Sequence, residues 1–275
     1  MPKLRANGLP MNYDQQGDGE PLILIPYLAA DHACYAFQVA EYSKHFTCIS
    51  VDLRGTGESD KPAGEYSTEA LADDVAAFMQ AAGLSRAHIA GLSLGAAVGM
   101  WLAAKHPEKV QSLSLHSAWP KTDAYAKAVV DGWQIMAKAL NNMPELIVRA
   151  IFPWCFTPEL YANKPEYIDA LAAFVRSRPA QTVADFMLQS GAVLTHDASP
   201  VLAQIAAPTL ITFGASDQVT STRFAAPLKD AIRNSELLVF DGCSHAPLYE
   251  NVGEFNRATL SFLQQQTGVA SRATA

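Results

Sequence analysis

Residues Ala90-Gly91-Leu92-Ser93-Leu94-Gly95-Ala96 constrain this chain more than any other stretch. They read as G-x-S-x-G between an apolar, strand-like run (Ala87 to Ala90) and a helical run (Ala96 to Lys105). A serine on so sharp a strand-to-helix turn takes a strained backbone, and glycine two residues to either side lets the flanking chain pass without a clash. Such a turn pushes the hydroxyl out of the sheet and aims the first backbone N–H groups of the helix at the same spot. The five-residue pattern alone is a weak signal. Its strand–turn–helix context, and partners far downstream, make it a strong one.

The chain around the turn repeats the same rhythm. Leu22-Ile23-Leu24-Ile25, bounded by Pro21 and Pro26, suits a buried strand, and Phe46 to Asp52 is apolar and β-branched up to the turn Arg54-Gly55-Thr56-Gly57. Residues 33–44 between them can form a helix. A second helix opens at Thr68, which can cap it, and Leu71, Val75 and Phe78 recur at helical spacing up to the stop at Gly83. The helix 96–106 ends at Pro107, and Leu113 to His116 supplies another strand. Late in the chain, Thr209–Gly214 and Glu236–Phe240 read as strands and Val252–Gln266 as a closing helix. Near-continuous apolar strands alternating with helices imply an α/β fold, a mainly parallel sheet covered on both faces.

The middle differs. From Trp119 to Pro200 strand signal is sparse, helical stretches follow one another, and aromatics gather (Trp119, Tyr125, Trp133, Phe152, Trp154). This predicts a core of residues 1–118 and 201–267 with a helical cap inserted over 119–200, lying on the sheet edge where the serine emerges. Most of the cap's aromatics are expected to hold the cap together. Residues 268–275 are small and polar and read as a disordered tail.

Composition narrows the partners. The chain has 275 residues, 49% hydrophobic and 17% charged, with a formal net charge of −7. No window approaches the apolar length that spans a membrane, and the basic N-terminus has no apolar run behind it, so a cytoplasmic location is expected. The negative charge without any basic cluster argues against nucleic acid or an anionic membrane as a partner. Cys34, Cys48, Cys155 and Cys243 are widely spaced and read as free thiols. His32, His45, His88, His106, His116 and His196 are scattered singly and read as surface or capping residues, so neither a metal nor a cofactor is implied.

A serine hydroxyl is a poor nucleophile near neutral pH; it needs an adjacent base, and the base needs an orienting group. Two downstream segments offer both in the order Ser, Asp, His. Gly214-Ala215-Ser216-Asp217 follows a strand directly, so its carboxylate stands on the same edge of a parallel sheet as the serine turn. Gly242-Cys243-Ser244-His245 follows the last strand, and its histidine can reach both groups. Three strand-end positions in that order are hard to obtain by accident.

On these residues the chain resembles the α/β-hydrolase superfamily, from about Pro21 to Phe262. Asp52-Leu53-Arg54-Gly55-Thr56-Gly57-Glu58-Ser59 is similar to its D-x-R-G-x-G-x-S turn, and Pro107-Glu108-Lys109-Val110 to its Y-P-E-x-V. The resemblance implies Ser93 as nucleophile, His245 as base and Asp217 as orienter, with Asp52 and Arg54 structural. His245 would take the Ser93 proton as the hydroxyl attacks a carbonyl, so activity is expected to fall on acidification, when the ring can no longer accept it. Two N–H donors would meet the oxyanion. Leu94 N–H, next after the nucleophile, is one. For the other, members of the family usually carry His-Gly after the strand at 22–25, whereas alignment on Tyr35-x-x-Gln38 (the family's W-x-x-Q) puts Pro26-Tyr27 here. Proline has no N–H to give, so Leu28 N–H is expected by position. Tyr27 either aims its phenol into the pocket or packs under the cap, and Trp119 is a second candidate for substrate contact.

A serine nucleophile disfavours haloalkane or epoxide chemistry, which uses a carboxylate. The run Gly91 to Ala103 resembles the enol-lactonase and small-ester esterase branch, with Gly95-Ala96 in place of the usual double glycine. The leading expectation is hydrolysis of a carboxylic ester or lactone of a small or medium, partly aromatic or apolar molecule. Arg149, Arg176 and Arg178 are available should the substrate carry a carboxylate, although an exposed surface role is expected for each. A C–C bond hydrolase of ring-cleavage products, a cofactor-free oxygenase or perhydrolase, and a ligand receptor remain open on the same residues, since fold alone chooses none of them.

Overall fold

The computed structural model describes residues 2–268. Among them, strands β1 (Lys3–Ala6), β2 (Leu9–Gln16), β3 (Glu20–Ile25), β4 (Phe46–Val51), β5 (Ala87–Leu92), β6 (Val110–His116), β7 (Thr209–Gly214) and β8 (Ser235–Phe240) form one sheet in the order β1-β2-β4-β3-β5-β6-β7-β8. β3 to β8 run parallel, and β2 joins β4 antiparallel. The expected disordered tail falls, from residue 269 onward, outside the described residues.

The central strands are buried along their length, as apolar runs covered on both faces must be. Leu22, Ile23, Leu24 and Ile25 of β3 are all fully buried, and so is every residue of β5. Helices α1 (Ala36–Tyr42), α2 (Thr68–Ala81) and α3 (Leu94–Lys105) connect these strands. α3 is apolar around its circumference and buried on all sides but Trp101 and its C-terminal end, the pattern of a helix enclosed by core rather than lying on a surface. Between β6 and β7 come α4 (Ala124–Leu140), α5 (Met143–Leu146), a π-helical turn over Ile147–Ile151, α6 (Phe152–Cys155), α7 (Pro158–Asn163), α8 (Pro165–Ser177) and α9 (Val183–Leu194). After β7 follow α10 (Ala225–Ala231), α11 (Pro247–Glu250) and α12 (Val252–Gln265).

Several local expectations needed correction. The helix expected over 33–44 begins as a 3-10 turn, His32–Tyr35, capped by Asp31, and only then becomes α1. α2 is capped by Ser67, whose hydroxyl accepts the Ala70 N–H at 3.1 Å, and Thr68 is already helical. α3 begins at Leu94 rather than 96, so the helix starts immediately after the serine. The hairpin β1–β2 was not anticipated, yet its signal is present: Asn7-Gly8, at φ 50° and 80°, is the residue pair that a tight two-residue hairpin turn demands.

The scattered histidines are mostly interior. His88 lies between Ser112 (2.8 Å) and Glu20 (3.0 Å), His116 meets Thr212 Oγ1 at 2.8 Å, and His196 meets Thr68 Oγ1 at 2.8 Å. His32 lies against Asp52 at 2.8 Å. Burial favours the neutral ring: it pushes His116 down to about 3 and His196 to about 4. The four cysteines are free. Among the described residues no helix is long and apolar enough to cross a membrane.

Candidate active site

Parallel strands end together, so the loops after β3, β5, β6, β7 and β8 emerge from one edge of the sheet; Gly91 pairs with Ile25 and Leu115, and Gly214 with Phe240. Ser93 occupies the β5–α3 turn at φ 53°, ψ −116°, a conformation costly for a residue with a Cβ, of order 1–3 kcal/mol. The turn is that tight because its ends almost touch. A Cβ on Gly91 would lie 2.3 Å from the Gly95 carbonyl, and one on Gly95 would lie 2.1 Å from the Ile25 oxygen. Either glycine replaced would force the elbow open. Ser93 N–H is anchored to the His116 carbonyl at 2.9 Å.

Asp217 follows β7 in a loop that wraps its own carboxylate. Oδ1 accepts from Val219 N–H (2.8 Å) and Thr220 N–H (3.1 Å), and Oδ2 accepts from the Thr220 hydroxyl (2.8 Å). Nδ1 of His245 lies 2.9 Å from that same Oδ2. Burial by itself would raise the Asp217 carboxyl; the His245 ring and these hydrogen bonds outweigh it and hold the group below the ordinary carboxylate range. The carboxylate therefore stays charged and can fix the ring with Nδ1 protonated, leaving Nε2 as the free acceptor.

The His245 loop is pinned from both sides. Ser117 donates its hydroxyl to the His245 carbonyl at 2.8 Å. Glu250 accepts from Thr157 N–H at 2.6 Å through one oxygen and from Ser244 N–H through the other. Burial, with the neighbouring charge of Asp217, raises the Glu250 carboxyl. Thr157 and the histidine loop thus share one half-buried carboxyl group.

Ser93, His245, Tyr27 and Leu28 all line one cavity, roofed by Trp133, Met143 and Phe152 of the segment between β6 and β7. As the first residue of α3, Leu94 has no intrahelical acceptor for its N–H. Leu28 N–H likewise meets no acceptor among the described residues. Both expected donors are therefore unengaged. The left-handed residue in this loop is Ala29, at φ 62°, rather than Tyr27. Its N–H is taken up by Gln189 Oε1 of α9 at 2.9 Å.

Tyr27 offers the cavity its ring but not its hydroxyl. Its ring lines the cavity, and its hydroxyl lies 2.9 Å from Tyr249 Oη, which itself donates to the Cys34 carbonyl at 2.5 Å. The Tyr27 proton is thereby directed at Tyr249, leaving an aromatic wall. Trp119 is misplaced by the sequence reading: it is only 2% exposed, lies outside the cavity lining, packs on His196 and donates Nε1 to Thr122 at 2.8 Å. It lies in the loop between β6 and α4. Arg149 and Arg176 both pair with Glu145 on the exterior, at 2.6 and 2.7 Å. Arg178 does line the cavity, but Asp31 holds it at 2.8 Å. Asp52 and Arg54 are structural. Asp52 accepts from His32 N–H, Asn12 and Glu58 N–H, and Arg54 forks onto Asp74 at 2.5 and 2.6 Å.

Sequence reasoning missed Thr220, Glu250, Gln181 and Gln189. Thr220 had a local signal, a hydroxyl three residues after Asp217 in a loop where carboxylates commonly accept from following N–H groups. The two glutamines had none, because their close partners, the Gly55 carbonyl and Ala29 N–H, lie more than a hundred residues away.

A family model described as alpha/beta hydrolase fold matches residues 7–252. The chain is 26% identical over 268 residues to a putative carbamate hydrolase RutD of Azorhizobium caulinodans, covering 95% of this chain and 98% of that protein. It is 27% identical over 266 residues to 3-oxoadipate enol-lactonase 2 of Acinetobacter baylyi, covering 95% and 96%. The crystal structure of the enol-lactonase from Burkholderia xenovorans LB400 superposes with a TM-score of 0.86 at 25% identity, covering 96% of this chain and all of that one.

Proposed function

Since the chain belongs to the α/β-hydrolase fold family, we propose that it is a serine hydrolase that opens a carboxylic ester or lactone of a small to medium, uncharged substrate through an acyl-enzyme on Ser93. The observation that carries this reading is the shared cavity: Ser93, on its strained elbow, and His245, oriented by Asp217 at 2.9 Å, line the same pocket. In this reading residues 119–200 are the cap that closes the pocket.

His245 Nε2 accepts the Ser93 proton as Oγ bonds to the carbonyl carbon, and the carbonyl π electrons move onto oxygen. Leu28 and Leu94 N–H groups stabilise that oxyanion, each such donor being worth about 3–4 kcal/mol where measured. Collapse expels the alkoxide, which takes its proton from His245; in a lactone it remains tethered to the acyl group. Water, deprotonated by the same ring, then attacks the ester carbon and frees Ser93.

The wall supports an uncharged substrate. Its lining is mostly apolar, small residues such as Ala29 and Ala246 standing beside larger ones such as Phe152 and Trp133, and Arg178 is paired with Asp31. The enol-lactonase relatives support ring-opening chemistry, and the carbamate-hydrolase relative supports acyl transfer more broadly. The test is a rate comparison of wild type and Ser93→Ala on short- and medium-chain p-nitrophenyl esters, uncharged lactones, carbamates and ring-fission diketones. Ser93-dependent turnover of esters or lactones is expected. Turnover that survives in Ser93→Ala, or is confined to C–C cleavage, contradicts the proposal.

A further inference from the structure

The two edges of the sheet are finished differently. β1, at one edge, is four residues long and carries the exposed, basic side chains of Lys3 and Arg5, a common protection of an edge against pairing with another chain. β8, at the other edge, lacks that protection. It reads Ser235-Glu236-Leu237-Leu238-Val239-Phe240, with no proline or basic residue, in unbroken register with β7. Thr209 N–H donates to the Asn234 carbonyl at 2.8 Å, and Ala215 N–H to the Phe240 carbonyl at 3.0 Å. Alternate residues of a strand bond to the same side, so the even-numbered residues of β8 turn their backbone groups to β7. Ser235, Leu237 and Val239 turn theirs outward. The sheet ends there, and no further strand among the described residues meets them. The side chains of Leu237 and Val239 share one face and are 39% and 38% exposed, while Leu238 and Phe240 pack into the core from the other.

Such an edge is a template for a strand of another chain, and the residues that bracket it select a second copy of this one. Arg233 and Asp241 flank the strand, both are exposed, and neither side chain makes an ion pair or hydrogen bond among the described residues. They stand about 26 Å apart along the extended chain, too far to pair within one copy. Antiparallel pairing about a two-fold axis through Leu237 sets Leu237 opposite Leu237, Ser235 opposite Val239 and Arg233 opposite Asp241. The outward N–H and C=O groups then bond across the axis, the leucines and valines of both copies meet on one face, and both charges are matched. Neighbouring registers lose this. One centred on Glu236 brings two carboxylates face to face, and one centred on Leu238 sets Asp241 opposite Ser235 and Arg233 opposite Cys243. We propose that the chain forms a homodimer by antiparallel pairing of β8 with β8 of a second copy, in the register centred on Leu237. One continuous sheet then runs through both copies. None of these residues lines the cavity, so the dimer does not depend on the hydrolytic reading.

Sedimentation velocity tests this. Wild type should convert, as concentration rises, to a species of twice 29.6 kDa. Leu237→Lys, which sets two ammonium groups opposite each other at the axis, should stay monomeric where wild type is dimeric. Arg233→Asp and Asp241→Arg each turn both matched contacts into like-charge ones, and each should weaken self-association by about tenfold or more. An equimolar mixture of those two variants should recover wild-type affinity, because the mixed dimer restores both opposite-charge contacts. The double variant Arg233→Asp/Asp241→Arg should recover it as well. Both charged side chains are exposed, so this comparison decides if Leu237→Lys does not fold. A wild-type monomer at every concentration overturns the homodimer and leaves the edge to a strand of another protein. A dimer untouched by Leu237→Lys, or charge variants that the mixture fails to rescue, overturns this edge and register.

Discussion

Two short segments meet at the mouth of the reacting pocket, and they are held in place by opposite means. The elbow, Gly91 to Gly95, is fixed within its own few residues: its glycines allow the backbone to close on itself, Ala97 N–H returns to the Ser93 carbonyl at 3.0 Å, and one bond to His116 ties it to the next strand. The facing loop, Pro26 to Ala30, has one internal turn bond, Ala30 N–H to the Tyr27 carbonyl at 3.2 Å. Its remaining anchors come from far away, Gln189 on Ala29 N–H and Tyr249 on Tyr27. Of the two proposed oxyanion donors, one is thus set by local sequence and the other by side chains of α9 and α11. A mutation in α9 can therefore reach the proposed chemistry through the facing loop without touching the elbow.

The largest expected effect tests the elbow. Ser93→Ala should lower kcat by about 10⁴-fold or more, as loss of a triad nucleophile does in other hydrolases, while leaving the melting temperature near that of wild type. Ser93→Gly should be equally inactive yet more stable by about 1 kcal/mol in denaturant titration, because glycine accepts φ 53° without strain. A Ser93→Gly variant less stable than Ser93→Ala would mean that the elbow is not strained.

Next comes the glycine frame. Gly95→Ala places a Cβ 2.1 Å from the Ile25 oxygen, so the elbow and the facing loop must separate. A loss of about 1–3 kcal/mol of stability is expected, with a fall in kcat beyond what stability explains. Wild-type behaviour would show that the close approach is dispensable.

The facing loop is sharpened by Gln189→Leu. Removing the acceptor of Ala29 N–H should misplace the Leu28 donor and lower kcat by about 10–100-fold, a fraction of a full oxyanion donor, with KM changed little. A change in KM alone would assign Gln189 to substrate binding. Stability should respond least among the folded variants that keep the elbow.

Two interior histidines contribute to the pH response of the fold. His116 and His196 are held neutral by burial, at about 3 and about 4, below the ordinary histidine value they regain on unfolding. Between those values the unfolded chain binds more protons than the native one, so stability is full above roughly pH 6.5 and falls as pH drops toward 4, by up to about 1.4 kcal/mol per pH unit for each ring. His196→Gln should flatten urea-denaturation stability against pH in that window. An unaltered slope would show that its ring is protonated in the native protein.

The same contrast explains what could be read in the sequence. Strands β3, β5 and β7, the elbow, and the Asp217 and His245 loops were legible because each is encoded by neighbouring residues, an apolar run or a glycine at a required turn. The exceptions are instructive. β1–β2 was legible at Asn7-Gly8 but overlooked, since β2 mixes polar and apolar residues and lies toward the sheet's edge. The buried histidines were misread because their partners, such as Thr68 for His196, are distant in sequence. Trp119 was judged by residue type alone, and its burial against His196 sets it outside the cavity lining. Gln181, between α8 and α9, and Gln189, on α9, offered nothing locally to mark them as partners of Gly55 and Ala29.

The central claim is that Ser93 is the covalent nucleophile, and intact-mass spectrometry after rapid acid quench tests it most directly. With a slowly deacylating ester, wild type should gain the mass of one acyl group, mapped by peptide fragmentation to Ser93 and absent from Ser93→Ala. An acyl adduct on another residue, or steady turnover with the same adduct in Ser93→Ala, would contradict it.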